Sequence, residues 1–195
     1  MRLFKIQIIL LVVLAAGTVQ ARQTGFYIGG AVGNTSYEDD DRSRDIGLHL
    51  DDDDRGGQFF VGVDFNRFFA LEANFADLGE FTDSTRTFTD SFEVATIFAV
   101  GKVPIGYGPV SLYGKAGLGA IYWEEDDTFL GTYWDDSTGV VAVGFGVAIT
   151  PRGAEVVTFR LGWDFYLFTL EDDFPPYRDY HQSVGMGSLG LQVNF

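Results

Sequence analysis

From about residue 26 onward, apolar residues recur at every second position in stretches of roughly ten, and acidic residues collect between the stretches. The clearest run is Val157, Phe159, Leu161, Trp163, Phe165 and Leu167, interleaved with Thr158, Arg160, Gly162, Asp164 and Tyr166. Val141, Val143, Phe145, Val147 and Ile149 alternate with Ala142, Gly144, Gly146 and Ala148; Leu189, Leu191, Val193 and Phe195 alternate with Ser188, Gly190, Gln192 and Asn194. A period of two belongs to a β-strand, which sends successive side chains to opposite faces. Weaker alternation marks Phe26–Gly33, Val61–Phe65 and Phe69–Phe75, and Phe92–Val103 and Val110–Trp123 complete the set. About eight strands are predicted, most near the ~9–11 residues that a tilted strand needs to cross a bilayer.

The connections alternate in length. Short turns are expected at Asn66-Arg67-Phe68, around Pro104–Pro109 and around Pro151–Glu155, whereas long polar segments fall at 37–57, 79–91, 124–138 and 170–183. Membrane barrels have this asymmetry, with tight turns at the periplasmic end and long loops outside. The four long segments hold 22 of the 28 acidic residues, so the negative charge is expected on one rim.

The two strand faces separate a membrane barrel from a soluble one. A soluble barrel needs a charged exterior, but here the less apolar face is mostly Gly, Ala, Ser and Thr with isolated charges such as Glu72, Lys115, Arg160 and Asp164. That set suits a narrow lumen, and the Val/Leu/Phe face suits lipid. The predicted fold class is all-β: an eight-stranded antiparallel up-and-down transmembrane β-barrel, closed because an open edge would leave backbone groups unsatisfied in hydrocarbon.

Composition narrows the function classes. The 25 glycines in 195 residues disfavour long helices. A net charge of −15 argues against a nucleic-acid partner. Zero cysteines exclude disulfides, thiol catalysis and cysteine–zinc sites. At the start, Arg2 and Lys5, the apolar stretch Ile6–Ala16 and the small residues before Ala21 form a cleavable export signal over 1–21. Its removal takes away Arg2 and Lys5, moves the net charge from −15 to −17, and leaves residues 22–195 as the barrel domain.

Several segments now carry a family resemblance. Gly25-Phe26-Tyr27-Ile28-Gly29-Gly30, Leu71-Glu72-Ala73-Asn74-Phe75, Leu112–Gly119 and Phe159-Arg160-Leu161-Gly162-Trp163 resemble the first, third, fifth and seventh strands of the OmpA-like eight-stranded outer-membrane β-barrel family. The resemblance implies residence in the Gram-negative outer membrane and lumenal charges at Glu72, Lys115 and Arg160. The ending Ser188-x-Gly190-x-x-Val193-x-Phe195 is similar to the signal read by the barrel-assembly machinery, and no peptidoglycan-binding domain is expected after it. Where the family often carries a second lumenal acid in strand six, this chain has Gly146, so its ion pairing must be arranged differently.

The polar residues suggest three roles. Glu72, Lys115 and Arg160, joined by Asp164 and Lys102, are expected to pair in the lumen, because isolated charges there are costly; the parity of Lys102 is open, since a bulge would shift it. Their pairing points to a structural lumen, with a gated small pore as the alternative. The acidic clusters Asp39-Asp40-Asp41, Asp51-Asp52-Asp53-Asp54, Glu124-Glu125-Asp126-Asp127 and Asp172-Asp173 offer oxygen ligands to divalent cations, which would bridge them to lipopolysaccharide phosphates. Tyr37, Tyr133, Trp134, Phe174, Tyr177 and Tyr180 in the same segments offer contact surface to an unidentified surface ligand. No dedicated metal site is assigned: from Asp51 the EF-hand pattern fails at Arg55 and at Gly62, its twelfth position. No cofactor is expected. His181-Gln182-Ser183 resembles the His-x-Ser of outer-membrane lipid A deacylases, but no acid follows Asp179, so Asp179 or Asp164 would have to orient the histidine. The expected protein is therefore non-enzymatic, with the hydrolase as the rival.

Overall fold

The computed structural model describes residues 25–39, 53–82, 88–106, 108–127, 132–171 and 179–195. The export segment 1–21 and Asp40, Asp41, Asp51, Asp52, Asp172 and Asp173 lie outside them. Eight strands follow in chain order: β1 (Gly25–Asp39), β2 (Asp53–Asp64), β3 (Phe69–Thr82), β4 (Phe88–Pro104), β5 (Val110–Asp127), β6 (Thr132–Ile149), β7 (Val157–Glu171) and β8 (Asp179–Asn194). Each pairs antiparallel with its sequence neighbour, and β1 pairs with β8 from Tyr27↔Asn194 to Asp39↔Gln182, closing the barrel. Every strand thereby has hydrogen-bonding partners on both sides, the condition for non-helical chain in hydrocarbon.

The two faces are as the alternation requires. Phe159, Leu161, Trp163, Phe165 and Leu167 are exposed on the outside of β7, while Thr158, Arg160, Asp164 and Tyr166 are buried inside. Arg160 is only 7% exposed and Trp163 is 45% exposed, which fixes the apolar rows outward. The tight turns lie together at one end. At the β2–β3 turn the Asn66 side chain accepts hydrogen bonds from the backbone N–H of Phe68 and Phe69, and Gly106 and Gly153 supply positive φ at the β4–β5 and β6–β7 turns. Phe195, just past β8, is tied to β1: its N–H donates to the Phe26 carbonyl, and the two rings lie 5.8 Å apart.

Two expectations need correction. The strands run well into the segments expected as loops: Asp53 and Asp54 belong to β2, Glu124–Asp127 to β5 and Asp179–Ser183 to β8. Beyond the hydrocarbon a ladder needs hydrogen bonds but no apolar face, so the alternation stops before the strand does. Residues 53–62 are accordingly extended chain paired with β1. The interior, finally, is not lined mainly by small residues. In β4, Phe92, Val94, Phe98 and Val100 are buried inside while Ile97 is 60% exposed outside; a strand apolar on both faces gives no alternation to read.

Folded protein loaded without boiling onto a denaturing gel is expected to run at a different mobility from the boiled sample, because a closed β-barrel resists detergent. Identical mobility would rule out the closed wall.

Candidate functional site in the barrel lumen

The inward parity of β3, β5 and β7 delivers Glu72, Lys115, Arg160 and Asp164 to the same level of the lumen. An Arg160 guanidinium nitrogen lies 2.6 Å from Glu72 Oε2, Lys115 Nζ lies 3.4 Å from Glu72 Oε1, and Lys115 Nζ also lies 3.1 Å from Asp164 Oδ2. The order Arg160–Glu72–Lys115–Asp164 alternates in sign and sums to zero. All four side chains are less than a tenth exposed, and Glu72 is fully buried. Burial without partners would cost several kcal/mol per ion, so each charge needs its neighbour.

Aromatic groups complete the cluster. The Tyr27 hydroxyl donates to Glu72 Oε2 at 3.0 Å. The Arg160 guanidinium carbon lies 4.4 Å from the Phe60 ring centre and 4.6 Å from that of Tyr113, and Lys115 Nζ lies 4.4 Å from the centre of Phe98. In a desolvated site such a contact contributes up to roughly 2 kcal/mol. Glycines on the facing wall make the space. A β-carbon at Gly144 would meet the Asp164 carboxylate and the Lys115 side chain; one at Gly146 would meet the Tyr113 hydroxyl. Gly146 thus leaves room for the tyrosine that faces Arg160, and Asp164 on β7 supplies the second acid.

Lys102 points inward, but it is not part of this cluster. Its Nζ pairs with Asp64 Oδ1 at 2.5 Å, nearer the turns, with side chains 20% and 28% exposed. A separate polar group links the amides of Gln58 and Asn74 to Ser188: Asn74 Nδ2 donates to Gln58 Oε1 at 2.6 Å, and Gln58 Nε2 donates to Ser188 Oγ at 2.9 Å. Ser188 and Gly190 of the terminal motif are therefore inward, and Phe195 is exposed. Sequence reasoning passed over Tyr27, Phe60, Phe98 and Tyr113. Tyr113 was the most readable of these, since it shares the parity of Lys115 two residues on.

The hydrolase constellation does not assemble through Asp164. Ser183 lies opposite Leu167 on the ladder, on the outward parity shared with Leu189 and Leu191. The Asp164 carboxylate is inside, against Lys115. The barrel wall separates them, so only Asp179, on the parity of His181 and Ser183, is left as orienter. Asp39, Asp53, Glu124, Glu125, Asp126 and Asp127 occupy strand positions at the loop end, and among the described residues no group of three or more His, Asp or Glu side chains forms a metal site.

The family described as "Outer membrane protein beta-barrel domain" matches residues 8–190. No curated protein matches in sequence. Among solved structures, Neisserial surface protein A is similar with a TM-score of 0.65 at 13% identity, covering 87% of this chain and 97% of that one. Ail, the attachment invasion locus protein of Yersinia pestis, solved in complex with the heparin analogue sucrose octasulfate, gives 0.59 at 19% identity and covers 89% and 100%. The N-terminal β-barrel domain of Pseudomonas aeruginosa OprF gives 0.56 at 12% identity and covers 89% and 98%. At such identities the likeness to these three is one of fold.

Glu72→Ala is expected to cost about 3–5 kcal/mol of barrel stability, because it leaves the buried Arg160 guanidinium without its carboxylate while Lys115 keeps only Asp164. Lys102→Met, at a partly wet pair, is expected to cost about 1 kcal/mol or less. Urea midpoints for loss of the unboiled gel species measure both; equal losses would remove burial as the reason for the difference.

Proposed function

The chain belongs to the outer membrane protein beta-barrel domain family, and from that membership we propose that it is a non-enzymatic integral protein of the Gram-negative outer membrane with a structural or surface-interaction role. Export on segment 1–21 and insertion by the barrel-assembly machinery, reading Ser188, Gly190, Val193 and Phe195, belong to this reading. The observation that carries it is the state of the lumen: its central charges satisfy one another in the neutral cluster around Glu72, and aromatic side chains fill the space beside them. A plugged interior transports nothing and leaves function to the wall and the loops. Ser183 stands on the opposite face of the wall from Asp164, which takes that acid out of the hydrolase alternative.

The acidic end of the barrel defines the partner by charge. At a net −15, a sulfated polyanion of the kind held in the Ail structure suits this chain poorly. Lipopolysaccharide suits it when divalent cations stand between its phosphates and carboxylates such as Asp54 and Glu124–Asp127. A cationic surface ligand satisfies the same rule.

Two measurements test this. Incubation with lipid A followed by mass spectrometry is expected to show no acyl loss, with wild type and Ser183→Ala indistinguishable; serine-dependent deacylation would replace this reading with the hydrolase. Association of barrel-loaded nanodiscs with lipopolysaccharide is expected to weaken roughly tenfold or more when EDTA removes Ca²⁺ and Mg²⁺. Unchanged association would eliminate the cation bridge.

A further inference from the structure

The interior is filled unevenly along its axis. At the turn end lies a cavity of about 210 Å³, whose lining includes Asp64, Lys102, Ser111 and Thr158 and which reaches as deep as Glu72 and Arg160. Exposure falls along it, from 28% for the Asp64 side chain and 20% for Lys102 to 9% for Arg160 and zero for Glu72. Arg160 has both ring neighbours and one carboxylate partner, Glu72, yet a guanidinium carries five N–H donors. Its place in the cavity lining lets the remaining donors meet a small acceptor.

Beyond the ion cluster, toward the loop end, the character changes. Leu78, Val94, Ile121, Val184 and Met186 are each completely buried. Phe92 and Phe168 stand above with their rings 6.1 Å apart, at 3% and 5% exposure. A mainly apolar constriction of this kind, in which Thr35 and Tyr166 are also completely buried, disfavours water and ions by dewetting.

We infer that the lumen is a one-ended pocket: it admits water and small hydrogen-bond-accepting solutes from the turn end as far as Glu72 and Arg160, and the apolar layer, not the ion cluster, seals it toward the loops. This deepens the plugged-barrel reading and rests on it. The practical consequence is that breaking the ion cluster leaves the barrel closed to ion flow.

The chain contains no cysteine, so single cysteines report access directly. Ser111→Cys places a thiol in the pocket; Ala142→Cys places one in the completely buried layer beyond the cluster, with Val140→Cys as its substitute should it not refold. Each variant is first checked for the unboiled gel shift and then treated with a methanethiosulfonate ethylammonium reagent. The expected result is reaction at residue 111 roughly a hundredfold or more faster than at residue 142, because thiol reactivity follows access. Comparable rates, both fast or both slow, overturn the inference. Planar-bilayer recording of Glu72→Gln, or of Asp164→Asn if the first does not refold, is expected to show no steady conductance; steady conductance overturns it as well. Failure in a barrel that still shows the gel shift removes the one-ended pocket and leaves the envelope role standing, whereas loss of the shift in wild type removes both.

Discussion

A strand in hydrocarbon can send its backbone N–H and C=O groups only to another strand, and the pairing of β1 with β8 is what leaves none of the eight with an open edge. The remaining features follow from that closure. A closed wall has an inside too narrow for bulk water, so its inward positions have to be occupied by side chains that pack or pair. Its outside meets acyl tails, so Val, Leu, Phe and Trp can stand exposed there without the charge a soluble protein would need. The neutral quartet around Glu72 is the interior answering the same constraint: charges buried in a narrow tube are tolerated only as a balanced set.

Much of this could be read from the chain before any coordinates. Strands β6, β7 and β8 declare themselves because one face is apolar and the other small or polar, and the inward parity of Glu72, Lys115, Arg160 and Asp164 follows from that contrast. What the sequence hid has identifiable causes. β4 is apolar on both faces, so the filling contributed by Phe92, Val94 and Phe98 produced no alternation. Asp53, Asp54 and Glu124–Asp127 looked like loop because they are acidic, yet a strand standing in water keeps its hydrogen bonds with any side chains. Partners two strands apart, such as Lys102 with Asp64, depend on barrel curvature, which no local spacing encodes.

The glycines of the inner wall have a definite structural role. Gly144 faces the Lys115–Asp164 pair, Gly146 and Gly162 face the hydroxyl of Tyr113, and Gly62 faces the ring of Tyr27. Each absent side chain corresponds to a large one reaching across from a strand one or two places away. The departure from the family pattern at Gly146 is thus one half of a complementary pair, with Tyr113 as the other half, and it explains why the second acid resides on β7.

The distances along the chain between the members of the charged quartet bear on how the barrel is built. Glu72 meets Lys115 43 residues later and Arg160 88 residues later, so the first contact needs β3 and β5, and the second needs β7, around a common axis. A partly threaded chain therefore carries unneutralised charge on the side destined to be dry. The pairing that neutralises the interior is in that sense a property of the finished barrel and of no single hairpin.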